Sequence, residues 1–119
     1  MALVLCAAFA ITACSSDDDN STTSDTGVET TTRASGMRVS VQSADGVTVH
    51  TLTAPEAAFA NSTHLIETEN SLVAFDTQFL LPNAQDMRDY ATEIGKPIER
   101  LFITHEHPDH FLGLSLIHI

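Results

Sequence analysis

The heptapeptide Thr104-His105-Glu106-His107-Pro108-Asp109-His110 constrains this chain more than any other stretch. It follows the apolar run Leu101-Phe102-Ile103 and precedes Phe111-Leu112-Gly113. Three imidazoles and the Asp109 carboxylate crowd into one short loop, and neutral imidazole and carboxylate are the usual nitrogen and oxygen ligands of zinc and iron. The pattern predicts a buried strand over 99–104, rich in aromatic and β-branched residues. His105 and His107 are two apart, so an extended backbone projects both to one side. Glu106 then points away. Pro108 fixes φ and turns the chain, which brings Asp109 and His110 back toward the same pocket. His105, His107, Asp109 and His110 are therefore the candidate metal ligands. Four ligands from one loop suit two adjacent ions, and such a pair can hold a hydroxide while polarising an ester-like carbonyl or a phosphoryl oxygen.

Competing motifs fit less well. A zincin carries His-Glu-x-x-His on a helix, whereas the residue four after His105 is Asp109 and Pro108 opposes a helix there. A Cys-His zinc finger lacks its cysteines. A solvated histidine-rich turn without metal is the plain alternative, but biased histidine tracts rarely sit at the end of a strand.

Thr-His-x-His-x-Asp-His after an apolar strand resembles the metallo-β-lactamase-fold hydrolase superfamily. The resemblance implies that His105 and His107 bind a first metal and that Asp109 and His110 bind a second. It implies Zn2+ as the resident ion, two per full domain, with iron or manganese as alternatives. It makes Asp109 catalytic as well, orienting the attacking water. The family usually continues with a Gly-Gly pair opening a helix, and here Leu112-Gly113 keeps only the second glycine. The implied fold is α/β (α+β), the N-terminal half of an αββα sandwich. The family's later ligands are a further His for each site and a bridging carboxylate, and none is expected here, since His118 in the short tail after Gly113 is not read as a ligand. The expectation is thus a truncated domain, inactive by itself. Its parent would be a metal-dependent hydrolase of a small-molecule ester, lactam, thioester or phosphoester. Two other readings stay open: a mononuclear iron oxidoreductase of the same fold, such as a sulfur dioxygenase, and a non-enzymatic metal-binding envelope lipoprotein.

The rest of the chain supports a small cell-envelope protein. Its 119 residues allow one small domain, and its formal net charge of -11 argues against nucleic acid as a partner. Residues 1–13 form an apolar run too short to span a bilayer, as in the core of a signal peptide. Ile11-Thr12-Ala13-Cys14 resembles a bacterial lipobox. That resemblance implies lipidation of Cys14, cleavage before it, and a membrane anchor on the periplasmic side, with the outer membrane favoured. Residues 14–35 are Ser-, Thr- and Asp-rich, which predicts a disordered tether.

The domain proper is expected over 36–113. Alternation predicts a hairpin from strands at 37–41 and 47–52 around Ala44-Asp45-Gly46, with His50 exposed. A second pair is predicted at 63–68 and 72–76. Asp76 ends that pair, either supporting the metal ligands or capping a turn. Asn61-Ser62-Thr63 matches a glycosylation sequon, which the lipobox discounts. A helix follows, with Asn83 as N-cap, Asp86 in a capping-box position, and Ala84, Met87, Tyr90, Ala91 and Ile94 as its apolar stripe. Gly95 and Pro97 end it. Strand, helix and strand then form a crossover that delivers the ligand loop at a strand's C-terminal end. Residues 114–119, Leu-Ser-Leu-Ile-His-Ile, are one translation of the end sequence of a transposase-based sequencing adapter. The native reading is therefore expected to stop at Gly113.

Overall fold

A computed structural model describes residues 28–117. They form a mixed α+β domain, a six-stranded sheet with a long helix and a short one. The strands are β1 (Glu29–Thr32), β2 (Arg38–Ala44), β3 (Val47–Thr53), β4 (Ser62–Glu67), β5 (Leu72–Phe75) and β6 (Ile98–Phe102). The helices are α1 (Leu81–Ile94) and α2 (Pro108–Phe111), and Leu112–Leu116 continues from α2 as a 3-10 turn. Neighbours in sequence are neighbours in space, in the order β1-β2-β3-β4-β5-β6. Every pair is antiparallel except β5 with β6. A parallel pair needs a crossover, and α1 supplies it. The lipobox cysteine, the signal segment, the Ser/Thr/Asp tract up to residue 27 and His118 lie outside the described residues. No described helix is long and apolar enough to cross a membrane.

Local chemistry explains the elements. Asp45 and Gly46 have φ of 51° and 80°, the paired positive values of a two-residue hairpin turn, so β2 and β3 meet with Ala44 opposite Val47. Gly95 closes α1 at φ 79°, its N–H bonded to Thr92 O. Ala84, Met87 and Ala91 of α1 are buried, and Tyr90 and Ile94 flank them as the expected stripe. Met87 and Ala91, with Tyr90 and Ile94 beside them, pack on Val39, Leu52, Leu65, Leu72, Ala74 and Ile98, one inward residue or two from each of β2 to β6. Met37 and Ile117 belong to the same buried cluster.

Four expectations change. The stretch predicted as a tether over 14–35 includes a strand at its end, because β1 pairs Glu29–Thr32 with Val41–Arg38. Its threonines are β-branched and suit an edge strand that buries nothing. His50 is 6 % exposed, not a surface residue. The inward set on β3 is His50 and Leu52, while Val47 is exposed and Val49 half-buried. Burial is tolerated because both ring nitrogens are satisfied: Nδ1 meets Tyr90 OH at 2.8 Å and Nε2 meets Glu67 Oε2 at 3.1 Å. Helix α1 begins at Leu81 with Leu80 as N-cap, not at Asn83. The supposed capping residues serve the β1–β2 turn instead: Asn83 Nδ2 donates to Ser35 Oγ at 2.9 Å, and Asp86 accepts from Ser35 N at 2.8 Å. Finally, the strand predicted as buried over 99–104 runs Ile98–Phe102 and is buried only at Ile98, and Ile103 and Thr104 belong to the loop.

Candidate metal centre

The ligand loop is built on the ends of two parallel strands. Asp76 N donates to Phe102 O at 2.8 Å, which joins the exit of β5 to the exit of β6. Asp76 then adopts φ 61°, a left-handed conformation that aspartate tolerates better than most residues. The turn aims its carboxylate at the loop. Oδ1 accepts from Thr104 N at 2.7 Å, and Oδ2 accepts from Thr104 Oγ1 at 2.7 Å and His110 Nδ1 at 2.9 Å. Asp76 is 5 % exposed. Burial pushes its carboxyl up, but the hydrogen bonds from Thr104 and His110 outweigh burial and hold it below the usual value. Sequence left two roles open for Asp76, and the residue occupies both positions: it caps the strand end and contacts a candidate ligand.

These bonds decide which nitrogens face outward. A carboxylate only accepts, so His110 must carry its proton on Nδ1, which leaves Nε2 for another partner. Thr104 has one hydroxyl proton and gives it to Asp76. Its oxygen therefore accepts from His105 Nδ1 at 2.9 Å, which leaves His105 Nε2 as a lone pair. That lone pair faces His107 Nδ1 at 3.0 Å. His110 Nε2 faces Asp109 Oδ2 at 3.2 Å. The His105 and His110 rings are 4.0 Å apart between centroids, so the two donor pairs are adjacent. Glu106 is exposed and contributes no hydrogen bond here.

The spacing can be tested against a zinc ion. Two ligands each about 2.0–2.1 Å from a tetrahedral zinc lie about 3.3 Å from one another. The observed 3.0 Å and 3.2 Å are close to that value. Where His107 Nδ1 now donates to His105 Nε2, an ion could replace the shared proton. The residues present therefore fit a metal as two half-spheres. They do not complete one: among the described residues no group of three or more His, Cys, Asp or Glu side chains converges to hold an ion.

Sequence reasoning missed the clamps beneath the loop. Asn61 Nδ2 donates to Asp109 O at 2.6 Å and to Thr77 O at 3.2 Å. Thr77 N donates to His110 O at 2.7 Å, and Thr77 Oγ1 accepts from Gly113 N at 3.1 Å. Sequence offered Asn61 only as part of a sequon, and Thr77 carried no signal. Gly113 did carry one, as the glycine retained from the expected pair. The reason is steric: a Cβ there would lie 2.8 Å from Gln78 O and 3.1 Å from the Ala84 Cβ. Searches of protein-family models, curated proteins and solved structures return no match to this chain.

Proposed function

We propose that this chain carries part of the metal site of a metal-dependent hydrolase, of the kind its loop resembles. One observation carries the reading: a single loop presents two adjacent donor pairs, His105 Nε2 with His107 Nδ1 and Asp109 Oδ2 with His110 Nε2, each near the bite of a divalent ion. His105 and His107 would hold one ion, Asp109 and His110 a second, with the remaining positions taken by water or by donors outside residues 28–117. Zinc, or iron or manganese in its place, would supply Lewis acidity and a readily ionised water. The chain's own residues do the rest. Asp76 fixes His110 directly and His105 through Thr104, so both present the nitrogen that binds. The Asp109 side chain is 25 % exposed, which leaves it free to orient a water against an ester, lactam, thioester or phosphoester. The proposed setting is the bacterial envelope, tethered through a lipid on Cys14.

A second reading, metal capture without catalysis, is favoured by one fact: each pair supplies only two protein donors among the described residues. Cobalt titration of the purified chain separates the outcomes. Under the hydrolase reading, cobalt gives d–d bands that Asp109→Ala weakens, and the loaded full-length parent, not this chain alone, turns over an activated ester. Tight cobalt binding with no turnover of any such ester by the full-length parent would favour capture. No binding by a folded chain would overturn both.

A further inference from the structure

A second cluster of reactive groups lies between the sheet and α1, and the metal chemistry does not use it. Glu67 on β4, His50 on β3 and Tyr90 on α1 are linked in series. Glu67 Oε2 meets His50 Nε2 at 3.1 Å, and His50 Nδ1 meets Tyr90 Oη at 2.8 Å. The protons in this series can be placed. Glu67 Oε1 also accepts from Lys96 Nζ at 2.7 Å, and the bonds from Lys96 and His50 hold its carboxyl below the ordinary value. A carboxylate only accepts, so the neutral His50 ring carries its proton on Nε2. Nδ1 is then a lone pair, and the Tyr90 hydroxyl donates to it. A hydroxyl within hydrogen-bond reach of a base, with that base oriented by a third group, is the signature of an activated nucleophile. Exposure divides the roles. His50 is 6 % exposed, whereas Tyr90 is only half-buried, so the phenol is the group that meets a ligand. Burial pushes the phenol above its ordinary 10.0, so at neutral pH it keeps its proton and needs a base to react. The Arg33 guanidinium stands over the ring, 5.6 Å from its centroid, and its charge favours negative charge developing on the phenol oxygen. Glu93 fixes that guanidinium through two hydrogen bonds of 2.6 and 2.7 Å.

We infer that Tyr90 is a nucleophilic acyl acceptor, with His50 as its general base and Glu67 as the residue that positions the base. The co-substrate class is an activated carboxylic ester. The Tyr90 oxygen attacks the acyl carbon while its proton passes to His50 Nδ1. The bond from the acyl carbon to the leaving oxygen breaks, and its electron pair departs with that oxygen. His50 then gives up the proton to the leaving group, and Tyr90 keeps the acyl group as an aryl ester. The step needs no metal, so it stands whether or not the donor loop binds one.

The test gives the full chain 4-nitrophenyl acetate in the presence of a chelator and reads acetylation at position 90 by peptide mass spectrometry. Tyr90 is the only tyrosine of the chain, so O-acetyltyrosine that hydroxylamine reverses has a single origin. Tyr90 is acetylated about a hundredfold faster than N-acetyltyrosinamide near neutral pH. Its rate levels off before the phenol range near 10.0, because the base and not phenol ionisation sets it. Glu67→Gln is the sharpest variant. Lys96 keeps the amide oxygen on its side, so the amide NH2 turns to His50 Nε2 and donates to it. That moves the ring proton to Nδ1 and removes the lone pair that Tyr90 needs. Both Glu67→Gln and His50→Gln therefore react about as slowly as N-acetyltyrosinamide, with no plateau, while circular dichroism shows them folded. If His50→Gln does not fold, Glu67→Gln and the pH profile of the parent carry the test. A parent rate that climbs with phenol ionisation and never levels off overturns the proposal. So does a Glu67→Gln variant as fast as the parent. Either result leaves the three residues as a hydrogen-bond network of the core.

Discussion

At the scale of single residues, Asp76 does the most. Its carboxylate accepts three hydrogen bonds and reaches both donor pairs, one directly and one through the Thr104 hydroxyl. Asp76→Asn keeps the side-chain shape and tolerates the left-handed φ, but it loses the charge and an acceptor oxygen. Outer partners of metal-bound histidines are typically worth 10- to 100-fold in affinity. Cobalt or zinc affinity should fall by about that range in Asp76→Asn, while far-ultraviolet circular dichroism stays unchanged. An unaltered affinity would show that Asp76 only caps the strand. Phe59 makes the opposite trade. Glycine accepts φ 64° without penalty, and the lost side chain is 68 % exposed. Phe59→Gly should therefore raise stability by about 1 kcal/mol in urea melts. The four candidate ligands were legible because residue type and two-residue spacing are local properties. Asn61 and Thr77 were not, because their roles depend on which distant segment lies beneath the loop.

At the scale of elements, α1 shows what a sequence pattern carries and what it leaves out. The 3.6-residue stripe and the terminal Gly95 are local, and both appear where expected. The start of the helix moved because Asn83 and Asp86 prefer Ser35, about fifty positions away, to their own backbone. The same reason hid β1, whose threonines look like a tether until β2 offers them an edge. Gly95 lends itself to a test of its backbone alone. A Cβ there meets nothing within 4 Å, so Gly95→Ala adds no clash. The φ of 79° should still cost about 1 kcal/mol of stability. The link from β4 to the end of α1 is electrostatic. Lys96 Nζ donates to Glu67 Oε1 at 2.7 Å, and His50 faces the other oxygen. The Lys96 hydrogen bond, then that of His50, holds the Glu67 carboxyl below its ordinary 4.5. A lowered folded-state value stabilises the protein above pH 4.5, and that contribution is lost as pH falls through the folded value. Glu67→Gln should remove this acid-sensitive part, about 1 kcal/mol or less for a partly exposed pair. Thermal melts of parent and variant should separate at pH 6 and converge in acid, once the pH has fallen through the lowered folded-state value.

At the scale of the whole molecule, the described residues cover the sheet on one side only. Helix α1 lies over the Leu52 and Leu65 face, while Phe75 and Phe102 stack at 5.3 Å on the other. Phe102 is 48 % exposed and Ile103 38 %. Both sit at the end of β6, whose outer edge has no strand partner among the described residues. An apolar face beside a free strand edge favours pairing with a second copy. A net charge of -11 opposes it. Salt decides which effect wins, because the Debye length shrinks from about 30 Å at 0.01 M to about 10 Å at 0.1 M while apolar contacts do not weaken. Sedimentation velocity should therefore show monomer at low ionic strength and association as salt is added. Phe102→Lys puts a charge on the edge and removes the exposed ring, so it should keep the chain monomeric at the higher salt. Association that weakens with salt would mean that charge pairing, not this face, brings copies together. Association unaffected by Phe102→Lys would place the contact elsewhere, with Phe59 and Leu81, both more exposed than Phe102, as the first alternatives.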